Sequence, residues 1–139
     1  MFLYLILLCN PTQVKHIVLI KGTELLRVPI DRLMYISSDG NYSNVVTQDG
    51  RSRLIGLQLG QIEDILNAQF GNSYSNIVRL GRGHIINTDY IYFIDVAKQK
   101  LILSDCQGSL HELSISKDGL RSLMGYFEEL INNKNGSKD

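Results

Sequence analysis

The feature that most limits the fold is the punctuation of residues 16–56, HIVLIKGTELLRVPIDRLMYISSDGNYSNVVTQDGRSRLIG. Short apolar runs alternate with Lys21-Gly22, Asp39-Gly40-Asn41 and Asp49-Gly50. Glycine after a polar residue supplies the positive φ of a tight turn, and short runs between such turns read as strands. Asp-Gly is also a strong two-residue hairpin signal. A long helix cannot run through this spacing. It predicts successive antiparallel strands near residues 15–20, 24–28, 33–37, 42–47 and 51–55.

The period then changes. In LQLGQIEDILNAQF, the residues Leu57, Leu59, Ile62, Ile65, Leu66 and Phe70 form a helical stripe, and Gly71 suits its C-terminal stop. Strands return in IVRL, in HIINT beyond the Gly81-Arg82-Gly83 turn, and in YIYFIDVAKQKLILSDCQGSLHELSI, where the turn near 97–100 lacks a glycine. A closing helix is expected after Ser116, an N-cap candidate, with a stripe of Leu120, Leu123, Met124, Phe127, Leu130 and Ile131. The expected fold is mainly β: small antiparallel sheets of about ten short strands, a short middle helix and a C-terminal helix. The domain is expected over 15–131, between an apolar segment at 1–14 and a flexible tail at 132–139.

At 139 residues, the chain fits one domain with a real core. Its 44% hydrophobic content separates it from disordered chains. Basic and acidic residues number 14 each, so the formal net charge is zero. No global field therefore draws a polyanion, and only a local cluster could do so. Cys9 and Cys106 have no metal-ligand spacing and read as free thiols of a reducing, cytoplasmic compartment. Nine apolar residues, MFLYLILLC, precede Asn10-Pro11. A membrane-spanning helix needs about 20, and the basic n-region and cleavage site of a signal peptide are absent. The segment reads as a strand or turn packed on the domain or on a partner chain; a truncated membrane segment or an interfacial anchor are the other readings.

Catalysis has no visible constellation. GxSxG, HExxH, EF-hand and P-loop patterns are missing. Gly81-Arg82-Gly83 lacks the third glycine and the following helix of a dinucleotide site. Glu63-Asp64 and Glu128-Glu129 lie on helix surfaces facing solvent. The expectation is a non-enzyme with no cofactor and no metal. Charge distribution says more. Between Asp64 and Asp89 there is no acid, while Arg79, Arg82 and His84 fall there; Arg51 and Arg53 follow a hairpin turn, and Lys117 and Arg121 open the last helix. Such a cluster could contact phosphates, and arginine and asparagine can read guanine and adenine edges. Ordinary solubilising charges fit the same residue types.

The order of motifs is more specific. DRLMYISSDGNYSNVVTQDG, LGQIEDIL, IVRLGRGHIINTDYIYFI, QKLILSD and LSISKDGLRSL, over about residues 15–127, together resemble the LytTR family, the DNA-binding output domains of LytR/AgrA-type bacterial response regulators. Ile36 and Asn41-Tyr42 match the family's first block; Arg79, Arg82, Ile85, Ile86, Asn87 and Ile91 match its second. The family's His, Ser and aromatic around the loop arginine are Gly81, Gly83 and His84 here, and its closing Ser-Arg is Ser116-Lys117. Lysine keeps a charge but loses the bidentate fork.

The resemblance implies a sequence-specific transcriptional regulator that contacts successive major grooves of double-stranded DNA through loops, at direct or inverted half-sites. The family's contact positions fall on Asn41 and Ser43 in the Gly40–Ser43 loop, on Arg82 between Gly81 and Gly83, and on Lys117. Asn87 is expected to brace the backbone, and Tyr42 to serve as core or contact. Too few residues precede the domain for the receiver that usually accompanies it, so the input signal is expected elsewhere. The alternative is a LytTR-like interaction module that binds DNA weakly and meets a signalling or membrane partner, or a second copy in a homodimer, through residues 1–9. An apolar strip of this kind marks an interface. Deleting residues 1–10 is therefore expected to shift the chain towards monomer by light scattering, and to weaken binding to a two-half-site duplex more than to a single half-site. Equal mass and unchanged binding to both duplexes would count against it.

Overall fold

The computed structural model describes residues 15–71, 74 and 76–136, with side chains through 133. The chain order is β1 (His16–Lys21), β2 (Glu24–Pro29), β3 (Leu33–Asp39), β4 (Tyr42–Thr47), β5 (Ser52–Ile55), α1 (Leu59–Phe70), β6 (Ile77–Leu80), β7 (His84–Asn87), β8 (Ile91–Asp95), β9 (Lys100–Ser104), β10 (Leu110–Ser114) and α2 (Lys117–Gly136). Three antiparallel sheets result: β1-β2, β10-β9-β8, and a central β5-β4-β3-β7-β6. The mainly β expectation, with ten strands, a middle helix and a closing helix, is met.

Adjacent apolar residues explain the layering. Successive strand side chains point to opposite faces. Across the central sheet, Val45, Ile36 and Ile85 pair in one row, while Val46, Tyr35 and Ile86 pair in the next. The first row packs with Ile17 and Leu19 of β1 and with Leu59, Ile62 and Leu66 of α1. The second packs with Leu101, Leu103 and Leu113 of the three-stranded sheet and Leu120 and Leu123 of α2. A sheet covered on both faces needs apolar doublets rather than strict alternation. Leu33 and Ile36 share the first core although three residues apart, because the register shifts between Leu33 and Tyr35. That bulge adds one residue and restores the phase.

The Gly71 stop expected at the middle helix and the Ser116 cap expected at the closing helix both form. Gln58 and Gln61 form a reciprocal capping box at α1, and Gly71 ends it at φ 59°. Ser116 Oγ accepts from Gly119 N at 3.2 Å, capping α2. The stripe of α2 packs only in its first two turns, since Met124, Leu130 and Ile131 are exposed. The helix also runs to Gly136, beyond the 131 boundary, because each further residue of a nucleated helix adds a hydrogen bond at small cost. The glycine-free turn after β8 is made by Gln99 at φ 54°. The expected segment at residues 1–14 and the last tail residues, 137–139, lie outside the described residues.

Asn87 joins three elements and is fully buried. Its Nδ2 donates to the Leu33 carbonyl at 2.9 Å. Its Oδ1 accepts from Asp89 N at 2.9 Å and from Asn76 Nδ2 at 3.1 Å. It braces the backbone, as its residue type suggested. Asn87→Ala would strand the Leu33 carbonyl and the Asp89 amide, each costing about 1–3 kcal/mol when buried without a partner. A drop in Tm of about 10 °C is expected in a thermal melt; a shift of a degree or two would show that water replaces the side chain.

Candidate nucleic-acid interface

Antiparallel pairing gathers the loops that carry the expected contacts. The β3–β4 turn at Gly40-Asn41 closes where Asp39 pairs with Tyr42. On the other side of β3, Ser37 pairs with His84, and Ser38 N donates to the Gly83 carbonyl at 2.8 Å. The Gly81–Gly83 turn therefore lies beside the Gly40-Asn41 turn, at one end of the five-stranded sheet. The start of α2 approaches the same end: a Cβ on Gly119 would stand 4.0 Å from Leu80 Cβ, next to Gly81. Asn41, Arg82 and Lys117, distant in sequence, thus belong to one edge.

Each residue contributes differently. Arg82 is exposed, and no hydrogen bond or ion pair holds its side chain among the described residues. Lys117 is exposed in the first turn of α2, beside Asp118. Asn41 is exposed, with Oδ1 accepting from Gln58 Nε2 at 3.2 Å, so the α1 cap orients it. Gly81 takes φ 60°, the left-handed region that glycine permits, whereas Gly83 has no positive φ. Ser43 differs from the others. It is fully buried, and its hydroxyl donates to the Leu57 carbonyl at 2.7 Å. It fastens the turn from below and presents no atom to a ligand in this conformation.

The basic set also changes in space. Arg79 Nη1 meets Glu63 Oε1 of α1 at 2.8 Å, and its Nε donates to the Gly81 carbonyl at 2.9 Å. It supports the loop rather than offering a free cation, and the acid missing from its own stretch of sequence arrives from α1. Arg51 stands against Asp49 at 3.4 Å. Burial pushes the His84 imidazole below its ordinary value, so at neutral pH it adds no charge. Sequence reasoning missed Lys21 of the β1–β2 turn. A Cβ on Gly56 would lie 3.4 Å from the Tyr42 ring and 3.6 Å from Lys21 Cγ, which brings both side chains together at this edge. Tyr42 is 51% exposed, which makes it surface rather than core. No local pattern in the sequence links Lys21 to Tyr42; the pairing of two hairpins does.

Comparison with known proteins identifies the family and the fold. The family profile described as the LytTr DNA-binding domain matches residues 23–128. The chain belongs to the LytTR family. Among solved structures, the LytTr DNA-binding domain of a protein described as a methyl-accepting/DNA response regulator from Bacillus cereus superposes with a TM-score of 0.52. It is 20% identical over 84% of this chain and 95% of that one, a likeness of fold. No curated protein matches. As a LytTR domain the protein is a DNA-binding regulator. Among the described residues, no group of His, Cys, Asp and Glu could hold a metal ion, and no helix is long and apolar enough to cross a membrane.

Within the LytTR frame, Gly81 and Gly83 replace side chains that the resemblance placed in the central loop. The loop remains held at both ends, by Arg79 on the Gly81 carbonyl and by Ser38 on the Gly83 carbonyl. A β-branched residue at φ 60° is strained by about 1–2 kcal/mol. Gly81→Val should therefore lower Tm by several degrees. Gly83→Ser, where nothing lies within 4 Å of a new Cβ, should leave it unchanged in the same melt. Equal melting of the two variants would mean that the loop does not need its left-handed residue.

Proposed function

We propose that this LytTR domain is a sequence-specific transcriptional regulator whose duplex lies along the edge formed by the Gly40-Asn41 turn, the Gly81–Gly83 turn and the start of α2. The observation that carries the reading is the convergence on one edge of an unpaired Arg82, the cap-oriented Asn41 and exposed Lys117, in a chain of zero net charge. A neutral protein that binds a polyanion needs its cations in one place. Arg82 can give a bidentate pair to guanine O6 and N7. Asn41 can pair with an adenine edge, while Gln58 holds its amide plane. Lys117 serves a phosphate as a point charge, and Lys21 extends the same edge. Gly81 and Gly83 let the backbone approach closely. Ser43 acts beneath the surface, by holding the Asn41 turn. Recognition of repeated half-sites and pairing of two copies belong to the same proposal.

Selection of bound sequences from a random duplex pool tests it directly: an enriched motif is expected, and a pool that stays random would reduce the protein to salt-sensitive, non-specific binding. On the selected site, Arg82→Ala is expected to cost about 1–3 kcal/mol of binding with Tm unchanged. Lys117→Gln should weaken all duplexes alike and lower the salt slope by about one unit. Asn41→Ala should instead relax preference at one or two base pairs, read by competition with single-base variants. A uniform loss for Asn41→Ala would make it a phosphate or structural residue.

A further inference from the structure

The central sheet carries an arginine at each margin of its first row: Arg53 pairs with Val45 on β5, and Arg79 pairs with Ile85 on β6. Both stand on the face covered by α1 and the β1–β2 hairpin. At the β6 margin, α1 supplies Glu63 as a counter-charge. At the β5 margin the facing element is β2, and it brings another cation instead. Between β2 and β5 runs an open groove of about 510 Å³ whose lining includes Arg27, Arg32, Arg51 and Arg53. Its only lining acid is Asp49. That carboxylate accepts from Thr47 Oγ1 at 2.6 Å and Arg51 N at 3.2 Å, and faces Arg51 Nε at 3.4 Å. Asp49 is thus committed to Arg51. Arg27, Arg32 and Arg53 are exposed and form no ion pair among the described residues; Glu24 and Asp31 lie nearby without pairing with them.

We infer that this groove is a second anion site, built for a soluble ligand carrying two or more adjacent phosphates and separate from the duplex edge. Three guanidiniums without ion-pair partners, from β2, the 3-10 turn Ile30–Arg32 and β5, line one groove, an arrangement that a polyanion relieves. Guanidinium forks match phosphate oxygens bidentately. The groove volume lies within the range of small-molecule sites. Thr47 and Ser52 add hydroxyls to the lining. Its position argues against the duplex as occupant. The mouth is at the β4–β5 turn, whereas Asn41 lies beyond the other end of β4, and five residues at about 3.3 Å each separate Tyr42 from Thr47 by roughly 17 Å.

The test titrates the full chain with inorganic tripolyphosphate and with orthophosphate by calorimetry, and separately with duplex DNA. Saturable binding of one tripolyphosphate per chain is expected, at least about tenfold tighter than orthophosphate, since two or more charge-assisted contacts are made at once. The double variant Arg27→Gln, Arg53→Gln should weaken tripolyphosphate by at least about tenfold. Duplex affinity should stay within about twofold of the parent, and Arg82→Ala should do the reverse. Arg32→Gln, on a different element, should weaken tripolyphosphate as well, which guards against a folding defect in the double variant. Absence of saturable binding, or an equal loss on Arg82→Ala, would overturn the inference. So would a fall in duplex affinity for the double variant matching that of Arg82→Ala, because the groove would then be a contact for the DNA backbone.

Discussion

The structure depends on a central sheet that is buried on both faces. Ile36, Val45 and Ile85 make one row, Tyr35, Val46 and Ile86 the next, and each row has its own core. A one-residue slip of β4 would exchange Val45 with Val46, and a slip of β7 would exchange Ile85 with Ile86. Apolar doublets tolerate such an exchange better than an alternating strand does, so the doublets alone do not fix register. Register comes from the short turns at Gly40-Asn41 and Gly81–Gly83, from the bulge at Met34, and from Asn87, whose amide ties the end of β7 to the start of β3.

The same constraints create the edge proposed to meet the duplex. Both β4 and β7 begin beside the C-terminal end of β3 and run antiparallel to it, so the β3–β4 turn and the β6–β7 turn lie at the same end of the sheet. The sheet then holds the loops without a recognition helix. Three side-chain links stiffen them: Arg79 to the Gly81 carbonyl, Ser43 to the Leu57 carbonyl, and Gln58 to Asn41. Each link spends a polar group on positioning. Among the described residues, the side chains left exposed at this edge are Arg82, Lys117, Lys21, the face of Tyr42 and the amide of Asn41 that Gln58 orients.

Electrostatics follow from which charges are answered. Arg79 is neutralised by Glu63 and Arg51 by Asp49, and burial keeps His84 uncharged at neutral pH. The unanswered arginines divide between two places, the loop tip and the groove between β2 and β5. A formal charge of zero for the whole chain conceals this division, because field strength at a site depends on charges within about a Debye length, roughly 8–10 Å in physiological salt.

By itself the sequence determined the elements and the family. Glycine turns at 22, 40, 50 and 81, the helical period after Leu57, the Ser116 cap and the ordered motif blocks are all local, and local chemistry decides strand, turn and helix starts. It also identified Asn87 as a brace, since asparagine at a strand end bonds nearby backbone. Tertiary structure decided everything that required knowing what lies opposite. Residues 65–88 hold no acid, yet Arg79 has a carboxylate at 2.8 Å, because helix α1 packs over β6. Ser43 sits in a polar turn sequence but faces inward, since it is the second residue of β4 and shares the face of Val45 in the sheet's alternation. Met124, Leu130 and Ile131 continue an apolar stripe that no sheet reaches. Lys21 and Tyr42, and the arginines of β2 and β5, meet only because two hairpins dock, and the periodicity of a single strand carries no information about its neighbour across a core.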